Sequence, residues 1–236
     1  MGVQLFIIRH GDPDYANDTL TAAGRLEAAA LARKMESQIR PDALFSSPMG
    51  RARATMKPTE EALSMQGTVL DWAGELGLRC EEGPWGVAQM LWDVPGHWIR
   101  GSSPVTRDTW HLHPPFGGAE VRKDFERVCA ASDRFLAELG YERRGGHYAC
   151  VAPNRRKVAV FCHGGLGLTW LAHLLEIPLT LMWSAFWLPP SSVTTILFDE
   201  RESGRAAPRC IGLADISHLH AAGLARSNGG LKANLD

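Results

Sequence analysis

Val3-Gln4-Leu5-Phe6-Ile7-Ile8, followed at once by Arg9-His10-Gly11, is the stretch on which the reading of this chain turns. A nearly unbroken apolar run predicts a strand buried on both faces, as in parallel sheets. Its end presents a fixed cation, a nitrogen nucleophile and a residue with no side chain to block close approach. Those are the parts needed to hold a phosphoryl group and attack it. Taken alone, the tripeptide fits equally well a strand end running into a polar turn at Asp12-Pro13. Partners elsewhere in the chain decide between the two.

Working outward, Thr21 predicts the cap of a helix from about Ala22 to Ile39, with Leu26, Ala29, Ala30 and Leu31 on one side and Arg25, Glu27, Arg33 and Lys34 on the other. Ala43 to Phe45 reads as a short strand. Ser47 and Pro48 read as the N-cap and first turn of a second helix that passes Arg51 and Thr55, with Pro58 kinking or restarting it. Val69 to Leu76 is expected to be another strand. A further helix spans about Glu120 to Leu139 and stops at Gly140. Short strands follow at Tyr148 to Val151 and at Lys157 to Cys162, the second ending in His163-Gly164-Gly165 before another helix. Val193 to Phe198 and Arg209 to Leu213 form a strand pair joined around Ser203-Gly204, and the tail after Gly223 is expected to be frayed. The order predicts an α/β fold, a three-layer αβα sandwich with a mainly parallel central sheet.

Between Gly77 and Gly118 periodicity disappears, and five of the eight tryptophans fall at or near this region: Trp72, Trp85, Trp92, Trp98 and Trp110. A loop this long predicts a binding segment or lid. The expected organisation is one domain over residues 1–236 with a cap inserted at about residues 77–118.

Composition limits the function classes. Residues are 45% apolar and 22% charged with a formal net charge of −1, so nothing favours a nucleic-acid partner or an anionic membrane. The five cysteines are scattered without a C-x-x-C pair, which suits buried thiols in a cytoplasmic protein. The first apolar run is too short and lacks the basic flank of a signal peptide. Leu166 to Pro190 is long enough to span a bilayer, but His173, Glu176 and Pro178 interrupt it, so core helices are expected there.

Two apolar strands far apart in sequence each end in His-Gly. Ligands of open α/β sheets bind beyond the carboxyl ends of the strands, which predicts that His10 and His163 face one site. The helix opening after His163-Gly164-Gly165 is expected to aim its free N–H groups at an anion. Arg51, in Ser46-Ser47-Pro48-Met49-Gly50-Arg51, supplies further charge from a helix that also follows a strand.

Arg9-His10-Gly11, Leu20-Thr21-Ala22-Ala23-Gly24, and Ser46-Ser47-Pro48 followed by Arg51-Ala52 and Thr55 together resemble the histidine phosphatase superfamily of phosphoglycerate mutase-like proteins. Val160-Phe161-Cys162-His163-Gly164-Gly165 and Ser191-Ser192-Val193 fit the same pattern. The resemblance runs from Leu5 to about Phe198. It implies that His10 is a nucleophile forming a phosphohistidine, with Arg9, Arg51 and His163 around the non-bridging oxygens. Gly11 and Gly164 would lie against the substrate. The acid that protonates the leaving oxygen would be Glu75, in Trp72-Ala73-Gly74-Glu75-Leu76, with Glu81 and Glu82 as alternatives. Such a carboxyl needs a raised pKa.

The Glu-Arg-His-Tyr-Gly-like run of the cofactor-dependent mutases is replaced here by Glu75-Leu76-Gly77-Leu78-Arg79. The resemblance therefore implies a phosphomonoester hydrolase acting on a small phosphorylated metabolite, without cofactor or metal. A mutase-type phosphoryl transfer and a non-catalytic phosphoester-binding relative are the alternatives. His111 and His113 lack further ligands at metal-site spacing, and Cys162 reads as a small buried hydrophobe. The tryptophans of the cap are expected to pack it onto the domain or to form a homodimer contact. A substrate with an apolar or planar part is the lesser expectation.

Overall fold

The two apolar runs lie side by side. In the computed structural model, which describes residues 2–80, 89–100, 105–114, 116–117 and 119–231, the chain opens with β1 (Gln4–Arg9), β2 (Pro13–Asp14), β3 (Thr19–Leu20), α1 (Ala22–Lys34), β4 (Ala43–Ser46), α2 (Gly50–Leu63) and β5 (Thr68–Val69). It continues through β6 (Arg79–Cys80), β7 (Gln89–Met90), α3 (Ala119–Glu138), β8 (Tyr141–Arg144), β9 (His147–Cys150) and β10 (Lys157–Cys162). The last elements are α4 (Gly164–Leu175), α5 (Leu179–Ala185), β11 (Val193–Glu202), β12 (Arg205–Asp215) and α6 (Ser217–Ala221).

Eight strands form one sheet in the order β5-β4-β10-β1-β11-β12-β9-β8. The half that carries the site, β5, β4, β10 and β1, is parallel. Antiparallel strands extend it from β11 outward. Residues alternate between the two faces, so each apolar strand supplies two cores. Phe6, Ile8, Ala159 and Phe161 pack with Leu31 of α1, Met35 just after it and Met56 of α2. Leu5, Ile7, Val158, Val160 and Cys162 pack on the other face with α3, α4 and α5. The α/β layering read from the sequence is present.

Several boundaries differ from expectation, each for a local reason. Of the expected strand from Val69 to Leu76 only Val69 pairs in the sheet, together with Thr68 before it. Asp71–Ala73 then forms a 3-10 turn that brings Trp72 within 5.0 Å of Trp170 and 6.0 Å of Phe135, ring to ring. The first helix ends as an α-helix at Lys34, and Met35–Ile39 continues it as a π-helical turn. Its burial is also inverted at one place: Leu26 is exposed and Glu27 buried. Pro58 sits inside an unbroken α2, where the ring's fixed φ is compatible with the helix and one backbone bond is forgone. The helix cap is Met49 rather than Ser47. The strand pair after Val193 is longer at both ends, turning at Ser203-Gly204 as expected, and β8 was not foreseen.

Leu166 to Pro190 folds as α4 and α5, broken by Pro178, with Trp170 and Trp183 buried. Among the described residues no helix is long and apolar enough to cross a membrane. All five cysteines are free. The tail is not frayed where it is described: the Gly229 carbonyl accepts from Arg9 Nη2 at 2.8 Å, and the Ser227 hydroxyl donates to Asp12.

Candidate active site

Register brings the two histidines together. Arg9 lies opposite Cys162 in the parallel β1–β10 pair, so the next residue of each strand is a histidine at the carboxyl edge of the sheet. His10 N donates to the Cys162 carbonyl at 2.9 Å, and the two imidazole centroids are 5.2 Å apart. The Ser191-Ser192 segment closes the other side: Ser191 N donates to the His10 carbonyl at 3.0 Å, and Arg9 N to that of Ser192 at 3.2 Å.

The tautomer of His10 follows from its partner. Nδ1 is 2.8 Å from the Gly11 carbonyl oxygen, which can only accept, so Nδ1 carries the proton and Nε2 keeps its lone pair. Burial, and after it the neighbouring Arg9 cation, pushes the His10 pKa down to about 3. The ring is therefore neutral across the physiological range. His163 is buried as well, and burial followed by the proximity of His10, Arg51 and Arg9 takes its pKa well below the usual value. Its Nε2 lies 2.7 Å from Ser47 Oγ, and that hydroxyl oxygen also accepts from Met49 N at 3.1 Å. Ser47 thus orients His163 instead of capping the helix.

Both arginines are buried and held in place. Arg9 donates through Nη1 to the Leu188 carbonyl at 2.6 Å and through Nη2 to that of Gly229. Arg51, in the first turn of α2, donates through Nη1 to Asp18 Oδ1 at 2.6 Å, while Asp18 Oδ2 accepts from Gly50 N at 2.6 Å. Asp18 adopts a left-handed φ of 46° to do this, a conformation that Asp tolerates better than most residues. Gly50 is required by the same contact, since a Cβ there would lie 2.2 Å from the Asp18 carbonyl oxygen. Arg9 Nε, Arg51 Nε and His163 Nδ1 are buried with no partner within the described chain. The cluster holds more donor capacity than the protein's own acceptors use.

The loop after His10 rests on α1 and α2. Gly11 N donates to Thr55 Oγ1 at 2.9 Å, and that hydroxyl donates to the Arg51 carbonyl at 2.8 Å. Asp12 N donates to Glu27 Oε2 at 2.8 Å. Thr21 Oγ1 caps α1 through Gly24 N at 3.0 Å and donates to Asp12 Oδ2 at 2.7 Å. Such a cap contributes about 1 kcal/mol. Gly24 admits the loop, because a Cβ on it would meet the Asp12 carbonyl oxygen at 2.2 Å.

Glu75 enters from the turn after β5. Its carboxyl accepts from Gly165 N at 3.1 Å, Leu166 N at 2.8 Å and Leu76 N at 3.1 Å. The N–H groups expected to meet an external anion at the start of α4 are thus occupied by a carboxylate of the chain itself. Burial raises the Glu75 pKa, against the lowering effect of these three donors. Gly164 lies beside Arg9, and a Cβ there would come within 3.4 Å of Arg9 Nε. Glu81 and Glu82 lie outside the described residues.

Arg9, His10, Arg51, Glu75 and Gly164 line one cavity of about 420 Å³. Tyr15 also lines it, with its ring 6.4 Å from that of His10 and 5.5 Å from the Arg51 guanidinium carbon. Sequence reasoning did not find Tyr15, Asp18 or Glu27. The first two sit in an aperiodic loop, and Glu27 is a charged residue on a helix side read as solvated. Cys162 is fully buried, and burial followed by Glu75 pushes its thiol up to about 12, the behaviour of an inert core residue. His111 packs against Trp110 at 5.6 Å between ring centroids, and no cluster of three or more His, Cys, Asp or Glu suited to a metal ion occurs among the described residues.

Solved structures with this fold include phosphoserine phosphatase from Entamoeba histolytica in complex with 3-phosphoglyceric acid, at 18% identity and a TM-score of 0.62, covering 92% of this chain and 99% of that chain. YhfR from Bacillus stearothermophilus is similar at 22% identity and a TM-score of 0.60, over 92% and 99% of the two chains. The mycobacterial glucosyl-3-phosphoglycerate phosphatase is similar at 21% identity and a TM-score of 0.58, over 89% and 98%. At these identities the likeness is one of fold. No curated protein matches the chain in sequence. The model of the histidine phosphatase superfamily (branch 1) matches residues 5–206, so with β1, α2, β10 and their site residues all inside the match, the chain belongs to that superfamily.

Proposed function

We propose that this protein is a phosphomonoester hydrolase that works through a phosphohistidine on His10 and uses no metal ion. One observation carries the reading: the hydrogen bond from His10 Nδ1 to the Gly11 carbonyl leaves Nε2 unprotonated among Arg9, Arg51 and His163. Phosphoryl transfer depends mainly on positioning and on charge at the non-bridging oxygens; the two arginines supply the countercharge, with neutral His163 beside them. In the first step the Nε2–P bond forms as the P–O ester bond breaks, and the departing oxygen takes a proton from the Glu75 carboxyl. In the second step water attacks phosphorus, the Nε2–P bond breaks, inorganic phosphate leaves and a proton returns to Glu75. The raised pKa of Glu75 suits it to hold that proton.

Segment 77–118 serves as a cap in this reading, since Arg79, Met90, Trp92 and Asp93 reach the cavity from it. The similar Entamoeba and mycobacterial enzymes are phosphatases, which agrees with water as the acceptor. A generic aryl phosphate assay tests the proposal. Turnover should persist in chelator and fall to background in His10→Ala. Activity that survives His10→Ala or disappears with chelator contradicts it, as does saturable phosphoester binding without turnover.

A further inference from the structure

The tryptophans among the described residues separate into two groups; Trp85 lies outside them. Trp72 and Trp170 pack on each other and on Phe135. Trp110 packs on Phe125 at 5.4 Å, and Trp183 on Phe116 at 6.0 Å. Trp98 belongs to the same apolar cluster. These build the core and hold the inserted segment against it. Trp92 and Trp187 do something else: both line the cavity above His10.

The cavity is larger than a phosphoryl group needs. Its volume is about 420 Å³, whereas five non-hydrogen atoms occupy on the order of 150 Å³ at a water-like share each. Beyond the phosphoryl-binding side chains its walls are Met90, Trp92, Leu168, Phe186, Trp187 and Leu188. Trp92 is seated on the start of α4, where a Cβ on Gly165 would meet its ring at 2.7 Å, and its ring is 6.1 Å from that of Trp183. The guanidinium carbons of Arg9 and Arg226 lie 5.9 Å and 5.5 Å from the centroid of the Trp187 ring. Phe186, beside it, keeps 37% of its surface exposed. Arg79 and Asp93 are the charged residues that the inserted segment adds to this lining.

We infer that the substrate is a phosphomonoester of an apolar, aromatic alcohol, its planar body resting against Trp92 and Trp187. The inference rests on the phosphomonoester hydrolase reading of the same site. A pocket of this composition gains from burying apolar area and from ring contacts, each of the latter contributing roughly 0.5–1.5 kcal/mol. A zwitterionic body such as that of phosphoserine would have Arg79 and Asp93 to pair with, but would lose hydration against the apolar remainder of the wall.

The test compares kcat/KM of the purified protein for 2-phenylethyl phosphate, ethyl phosphate and phosphoserine, all esters of primary alcohols. The phenylethyl ester should exceed phosphoserine by about ten-fold or more, consistent with one or two ring contacts. In Trp187→Ala the phenylethyl-to-ethyl ratio should collapse, chiefly through KM. Phe186→Ala, at an exposed position, should lower the same ratio without risk to folding. Equal or better turnover of phosphoserine overturns the substrate inference and leaves the hydrolase reading standing. So does a phenylethyl-to-ethyl ratio unchanged in both variants. If no ester is hydrolysed and His10 takes no phosphoryl label, the hydrolase reading fails and the inference fails with it.

Discussion

Asp18 fixes Arg51 from outside every motif that singles out the site. One carboxylate oxygen takes the Arg51 guanidinium at 2.6 Å and the other takes the Gly50 amide at 2.6 Å, so a single side chain sets both the cation and the start of its helix. Asp18→Asn keeps an acceptor for one of these donors and removes the charge. Because the pair is partly open to solvent, with the Asp18 side chain 47% exposed, its contribution is smaller than that of a fully buried pair. The expected result is a loss of about ten-fold in kcat/KM with thermal stability nearly unchanged, measured by steady-state kinetics and thermal unfolding. Unaltered kinetics would show that Arg51 needs no such support.

Glu75 should show itself through leaving groups and pH. If its carboxyl donates the proton, Glu75→Gln slows esters with poor leaving groups far more than esters with good ones. Its raised pKa means that the proton is lost as pH rises, so the wild-type protein should have an alkaline limb in kcat that the variant lacks. His10 titrates at about 3 and contributes no limb near neutrality. Equal losses for all leaving groups would move the acid role to Glu81 or Glu82.

Glu27 couples stability to pH. It is buried under Asp12, and burial raises its pKa from 4.5 to about 7. Between those values the folded state binds more protons at this site than the unfolded chain does, so this residue's contribution to stability falls as pH rises from about 4.5 to about 7. Buried neutral His10 and His218 act in the opposite sense, their contributions being lost as pH falls from 6.5. The difference between the wild type and Glu27→Gln isolates the carboxyl. The variant should gain stability relative to wild type toward the upper end of the window, read from urea unfolding at a series of pH values. A constant difference across the window contradicts the assignment.

Arg9 is held on both sides by carbonyls, and one of them, Gly229, comes from the tail. A chain ending at Leu224 loses that contact and the Ser227–Asp12 hydrogen bond. Its KM for phosphoesters should rise by roughly ten- to a hundred-fold, the worth of one charge-assisted hydrogen bond, while its melting temperature changes little. A gain in activity on truncation would mean that the tail obstructs the site.

Much of the site was legible because its main residues follow buried parallel strands, and such strands are written as continuous apolar runs. Val3 to Ile8 and Lys157 to Cys162 predicted both strands, with a histidine one residue beyond Arg9 in the first case and directly after Cys162 in the second. The sheet register that makes them neighbours came only with the structure. Arg51 was visible through Ser47-Pro48, although Ser47 turned out to orient His163. Asp18 and Tyr15 left no pattern, since loop geometry has no period. Glu27 was misread because helical periodicity sorts residues by polarity and cannot show that a carboxylate is buried to hold an amide. The tail was misread for a related reason: its polar Ser227-Asn228-Gly229 stretch docks through one hydroxyl and one backbone carbonyl, which composition does not reveal.

The most direct test of the central claim is base-quenched analysis of the protein during turnover of a labelled phosphoester, followed by peptide mapping at alkaline pH. The account predicts an acid-labile, base-stable phosphoryl group on His10 Nε2 in the wild type and none in His10→Ala. Turnover with no covalent phosphoryl group at any time point, or a group on another residue, would contradict it.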